Sequence, residues 1–178
     1  MESLLEAGKV RNIGVSNFAP YQLKDLIDKS TIKPAVHQFE THPYLQQLDF
    51  VEWHHDNGIS ITAYSPLANA NPIYSSPGRD IEAPPALTEN KDISDIALGR
   101  GCTNVQVALS WGMHRGTSVI PKSQHADRIE ENYGAMGCEL QEADNDAIEK
   151  IGVKYSKRFN NPGKSWGVPL YEGLEDSG

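Results

Sequence analysis

Four times along this chain a short run of β-branched and apolar residues gives way to a small polar loop and then to a helical stretch. VRNIGVSNF precedes a helix over 21–29, with Pro20 in its first turn and Leu23, Asp25 and Leu26 giving it an amphipathic face. PAVHQFE (34–40) precedes a helix read over 42–58 and stopped at Asn57-Gly58. ISITAYSPL (59–67) is followed by a loop rich in Pro, Asn, Ser and Gly from Ala68 to about Glu89. Beyond it lie a helix over 91–99 and another, capped by Thr103, to about His114. TSVIPKS (117–123) leads into a helix from near Ala126. A short helix over 2–9 opens the chain, another spans 142–151, and the tail from Lys154 reads as irregular. Strand-helix alternation predicts a parallel sheet with crossover helices. The strands read as nearly all apolar, as when both sheet faces are covered. Four such units equal half of an eight-stranded barrel, so the expectation is one α/β domain over 1–178, a partial (β/α)8 barrel.

Charge and composition narrow the partners. Of the 178 residues 38% are hydrophobic and 22% charged, the mix of a folded soluble domain. A formal net charge of -8 argues against a nucleic-acid or anionic-membrane partner acting over the whole surface, while leaving room for a local phosphate site. No apolar stretch approaches the roughly 18 residues that span a bilayer. MESLLEAGKVR is a charged amphipathic helix rather than a leader peptide, so the expected location is the cytoplasm. Cys102 and Cys138 have no metal or redox spacing and are expected to be plain thiols.

Motif content goes further. GKVRNIGVSNF, HQFETHPYLQQ, ITAYSPLA and VIPKSQHADRIEEN stand in the order and approximate spacing of aldo-keto reductases, and WGVPLY is similar to a tail segment of many members. The chain therefore resembles the C-terminal half of such an enzyme. The resemblance implies a nicotinamide nucleotide, NADP(H), at the carboxyl ends of the strands. By motif, Ser16, Asn17 and Gln38 are implied to bond the carboxamide, and Tyr64 to stack on the nicotinamide ring. Ser65 and Leu67 are implied near the pyrophosphate, Lys122, Ser123 and Arg128 at the adenosine 2′-phosphate, and Glu131 and Asn132 at the adenine. The chemistry is apt: Asn and Gln offer an amide both donor and acceptor. A flat ring buries well on an aromatic face. Lys, Arg and a helix start converge well on a phosphate.

The resemblance also implies what is missing. The family's reductase residues, Asp, Tyr, Lys and His, belong to the first half of its barrel, and none of their motifs occurs here. Ordinary carbonyl reduction by this chain alone is therefore not expected. Two open sheet edges and an uncovered apolar interior predict a homodimer or larger assembly. The start at Met1, just ahead of a helix, reads as the beginning of a gene product, with a fragment of a longer enzyme as the alternative. Two other readings stand beside the family one. A repurposed non-redox enzyme would steer cyclisation, isomerisation or dehydration of a small hydrophobic ligand, with Tyr64, His37, Asn17 or Gln38 as hydrogen-bond partners. A non-catalytic protein would use the open edge to bind another chain.

The histidines give no metal spacing, and none is expected to hold a metal. His37, where the family often has Asn, is a core or loop histidine or else a weak acid-base candidate beside Gln38. His42 reads as structural, and the adjacent His54 and His55 fall on different helix faces.

Overall fold

A computed structural model describes residues 1–70, 84–168 and 170–174. After helix α1 (Glu2–Glu6) come β1 (Gly14–Ser16), α2 (Pro20–Lys29), β2 (Val36–Glu40), α3 (Leu48–Asp56) and β3 (Ser60–Tyr64). Then follow α4 (Lys91–Arg100), α5 (Asn104–His114), β4 (Thr117–Val119), α6 (Ala126–Gly134), α7 (Glu142–Tyr155) and the short α8 (Gly163–Trp166). The four strands form one parallel sheet in the order β1-β2-β3-β4, the half-barrel expected from the alternation.

Local chemistry sets the ends of these elements. Pro20 opens α2, and Gln22 reaches back to accept from the Ala19 amide at 2.8 Å. Thr103 and Gln106 make a reciprocal capping box at the start of α5. Strands stop earlier than the apolar runs do. Ser65, at φ 47°, ends β3, and Pro121 follows the three-residue β4 closely. Helix α3 also begins six residues later than its sequence pattern predicts. His42 and Leu45 exchange backbone hydrogen bonds (3.1 and 2.8 Å) across Pro43-Tyr44, and Gln47 sits at φ 48°, so only Leu48 onward is helical.

Two apolar clusters hold the fold. Leu23, Phe39, Phe50, Val51 and Ile61 pack α2 and α3 against one face of the sheet. Leu87, Ile93, Val107, Ala108, Trp111, Cys138, Ile148 and Ile151 join α4, α5 and α7. Cys102 and Cys138 meet at this second cluster as a disulfide, 36 residues apart in sequence. This corrects the reading of both as free thiols: spacing is silent about two residues that only the packing of α5 against the end of α6 brings together. The cross-link ties the α4–α5 turn to the segment following α6. Closing a loop of this size constrains the unfolded chain by about 3–4 kcal/mol, and such bonds persist in oxidising surroundings. Denatured without reductant, the chain is expected to take up no thiol-alkylating label, and two labels after reduction. Labelling without reduction would contradict the bond.

The sheet itself departs from the all-apolar expectation. Register pairs Ser16 with Gln38, Gln38 with Thr62, Thr62 with Ser118, and Glu40 with Tyr64. Residues paired in parallel register, and residues two apart along a strand, share a face. One face therefore carries Ser16, Gln38, Glu40, Thr62, Tyr64 and Ser118. The other carries Val15, His37, Phe39, Ile61, Ala63 and Val119, and it is Phe39 and Ile61 of this face that meet the helices. The face left uncovered by the half-barrel is polar, not apolar, so water can reach it at low cost. No helix among the described residues is long and apolar enough to cross a membrane.

Candidate nucleotide groove

The polar face ends at the carboxyl edge of the strands, where the functional candidates gather. Ser16 is exposed at the end of β1, beside Gln38 in register. Asn17 turns the chain with φ 57°, a conformation Asn tolerates better than most residues, and its amide donates to the Gln38 carbonyl at 3.0 Å. The Asn17 Oδ1 atom is buried and has no hydrogen-bond partner among the described residues. Buried polar atoms are nearly always partnered, so an orphan here marks a place where a donor fits. Tyr64, half-buried at the end of β3, lies against Tyr171. Burial, with the Tyr171 hydroxyl alongside, pushes its phenol well above the ordinary tyrosine value.

A strap from the C-terminal tail crosses these strand ends, and Glu40 holds it. The carboxylate is fully buried and accepts from His42 Nε2 at 3.0 Å, from the Phe159 amide at 2.8 Å and from the Asn160 amide at 2.9 Å. Asn160 Nδ2 donates onward to Ser65 Oγ at 3.1 Å, and the Lys157 amide donates to the Tyr44 carbonyl at 2.8 Å. Burial alone would raise the Glu40 carboxyl. The hydrogen bond and attraction of His42, with the two amides, outweigh it and hold the group below its usual range. The irregular tail is thus irregular in shape but pinned.

Beyond the strap lies a cavity of about 610 Å³ over the ends of β3 and β4. Ser65, Leu67, Lys122, Ser123, Arg128, Glu131 and Asn132 all line it, so seven sequence-selected residues from three separate segments share one space. Lys122 and Arg128 are exposed, and Ser123, Glu131 and Asn132 half-buried. Ser123 Oγ accepts from the His125 amide at 3.1 Å at the entry to α6, which starts at Ala126, leaving the helix's positive end turned to this region. Ser16, Gln38 and Tyr64, on β1, β2 and β3, and Asn17, just after β1, do not line this cavity and stand apart from it along the strand ends. The Pro-, Asn-, Ser- and Gly-rich loop 68–89 falls for residues 71–83 outside the described residues. Its base is closed by Asn69, whose Nδ2 donates to the Pro85 carbonyl at 3.1 Å and whose Oδ1 accepts from Leu87 N at 2.9 Å.

His37 is not in this groove. It is fully buried on the opposite, helix-facing side of β2, packed among Phe39, Phe50 and His54, so the weak acid-base candidacy is corrected. Burial first, then the charge of His54, pushes its imidazole down to about 3, and burial also lowers His54. Both rings are neutral near pH 7. Sequence reasoning missed Glu40, which stands inside the very HQFE motif from which Gln38 was drawn. Strand alternation could have found it, two residues on and on the same face. No group of three or more His, Cys, Asp or Glu among the described residues could hold a metal ion.

Known proteins share this fold and much of this sequence. The family model described as Aldo/keto reductase family matches residues 1–153. An uncharacterised oxidoreductase of Schizosaccharomyces pombe is 46% identical over 178 residues, 99% of this chain and 52% of that protein. The NAD(P)H-dependent D-xylose reductase of Scheffersomyces stipitis is 40% identical over 171 residues, 96% of this chain and 53% of that one. Among solved structures, an aldo-keto reductase complexed with NADPH superposes with a TM-score of 0.84 at 29% identity, covering 96% of this chain and 50% of that one. The chain spans about half the length of the curated relatives it matches. Over that half, strand order and sequence agree with a single ancestry, and the chain belongs to the aldo/keto reductase family.

Proposed function

We propose that this chain is the NADP(H)-binding, C-terminal half of an aldo/keto reductase and that it does not reduce carbonyl compounds by itself. The observation that carries the reading is the 610 Å³ cavity, in which the loop after β3, the loop after β4 and α6 bring together the residues suited to a phosphorylated nucleotide. Lys122 and Arg128 would neutralise the 2′-phosphate, helped by the start of α6. Ser65 would meet the pyrophosphate and Leu67 would pack beside it, while Glu131 and Asn132 would edge the adenine. At the far end the unpartnered Asn17 Oδ1 fits one N–H of a carboxamide, with Ser16 and Gln38 alongside and Tyr64 as the flat surface beneath the ring. When bound, NADPH supplies a hydride. The Asp, Tyr, Lys and His that would hold and protonate a carbonyl are not among this chain's motifs. β1 and β4, the terminal strands of the sheet, would pair with a second copy to close the barrel.

Titration with NADPH, followed by ligand fluorescence and thermal shift, tests the reading. Saturable binding in the micromolar range is expected, with NADH weaker. Absence of binding would overturn it. Solution mass tests the pairing: twice 19.6 kDa is expected, and a monomer at all concentrations would remove it.

A further inference from the structure

His37 and His54 form a buried relay that ends on the loop carrying Asn17. The Phe18 amide donates to His37 Nε2 at 3.1 Å. With Nε2 an acceptor, the neutral ring carries its hydrogen on Nδ1, and this faces His54 Nε2 at 2.8 Å. His54 in turn carries its hydrogen on Nδ1, 2.6 Å from the Phe50 carbonyl. Every nitrogen has one role, and the direction is fixed from the β1 loop through β2 into α3.

The relay takes over where the sheet ends. The Asn17 amide donates to the Gln38 carbonyl, the last backbone bond between β1 and β2 at this edge. At the next residue the backbone has turned through the left-handed region, and a side chain of β2 receives its N–H instead. Both bonds flank Asn17 directly. They hold its backbone at φ 57° and so fix where its unpartnered Oδ1 sits. His37 meanwhile cannot touch a ligand in the groove, because it faces the helices.

We propose that His37, supported by His54, is a positioning residue that holds the Ser16–Asn17 loop in the shape required for the nicotinamide carboxamide. The inference rests on the reading of the groove as an NADP(H) site. It assigns a role at the nicotinamide end only. The adenine end, held by the loop after β4 and α6, shares no hydrogen bond with the relay among the described residues.

Adenosine 2′,5′-bisphosphate, which lacks the nicotinamide half, separates the two ends. In His37→Leu the Phe18 amide and His54 Nε2 both lose their partners. NADPH affinity is expected to fall about tenfold, the effect of one mispositioned buried hydrogen bond, while affinity for the bisphosphate stays within about twofold. His37→Asn, which retains a side-chain acceptor, should recover most of the NADPH affinity. Equal losses for both ligands, or a loss that His37→Asn does not repair, would overturn the inference by making the effect merely structural. The unsubstituted chain provides a measurement independent of variant folding. In its imidazole nitrogen spectrum, NADPH should shift the His37 Nε2 signal and the bisphosphate should not. NADPH binding without such a shift would overturn the positioning role and leave the groove intact. Failure of the unsubstituted chain to bind either ligand would overturn the nucleotide reading itself, and this inference with it.

Discussion

Glu40→Gln is expected to loosen the C-terminal strap and lower the stability of the chain by about 3 kcal/mol, or roughly 6–12 °C in Tm for a domain of this size. The carboxylate accepts three hydrogen bonds with no exposure to water. A glutamine in the same space has one acceptor oxygen and turns an NH2 group toward at least one of the three donors. Leaving a buried donor unpaired costs about 1–3 kcal/mol, and donors that bonded a charge lose more. The loss should be local first: the bond between peptide amides 159 and 160 and β2 is what fixes the strap, so protease sites beyond Tyr155 should open. The same group predicts an acid limb. Its folded value lies below its ordinary 4.5, so its stabilisation is complete above that pH and disappears as pH falls through the folded value. His42 bonds the carboxyl directly, and Tyr64 and Arg158 lie near it. Thermal scans from pH 7 downward should show a loss in the unsubstituted chain that is smaller in Glu40→Gln, where the acid limb of Asp144 remains. An unchanged Tm in the variant would contradict the anchoring role.

Removing both cations from the cavity gives the second large effect. Lys122→Ala combined with Arg128→Ala should weaken NADPH about 100-fold or more, because each charged donor to a phosphate contributes about 1.5–3 kcal/mol. Both side chains are exposed and form no ion pair among the described residues, so the folded chain should keep its Tm. NADH, which lacks the 2′-phosphate, should lose little. The contrast between the two nucleotides, measured by titration on one preparation, decides the matter. Equal losses for both would place the cations elsewhere on the nucleotide, and no loss would remove them from the site. Arg128 should also show the larger single effect, since its planar fork can grip two phosphate oxygens where Lys122 is a point charge.

Much of this architecture can be read from the chain. Alternating β-branched runs and amphipathic stretches dictate four βα units, and capping residues such as Thr103 and Pro20 mark helix starts within a residue or so. The cavity-lining set, Ser65, Leu67, Lys122, Ser123, Arg128, Glu131 and Asn132, was implied by the resemblance of AYSPL, IPKS and RIEEN to family motifs rather than by spacing. What escaped reading depends on side-chain direction or on contact between distant segments. HPYLQQ has the composition of a helix start, yet a tight turn closed by His42 and Leu45 delays the helix to Leu48. The strands looked apolar because Val, Ile and Phe dominate them by volume. Their second face is set by Ser16, Gln38, Glu40, Thr62 and Ser118, visible only once the residues are sorted by parity. His37 and His54 are 17 residues apart, and Cys102 and Cys138 are 36 apart. Neither pair obeys a local spacing rule, since each is assembled by the packing of a helix on a neighbouring element.

In the function proposed above, the chain binds the nucleotide without performing the reduction. Mixing the chain with stoichiometric NADPH and a large excess of an aliphatic aldehyde, and following absorbance and fluorescence of the reduced nicotinamide together, tests both halves at once. The expected result is a fluorescence change that saturates with chain concentration, with no loss of absorbance over hours. Steady consumption of NADPH proportional to the chain would contradict the missing chemistry, and unchanged fluorescence would contradict the groove.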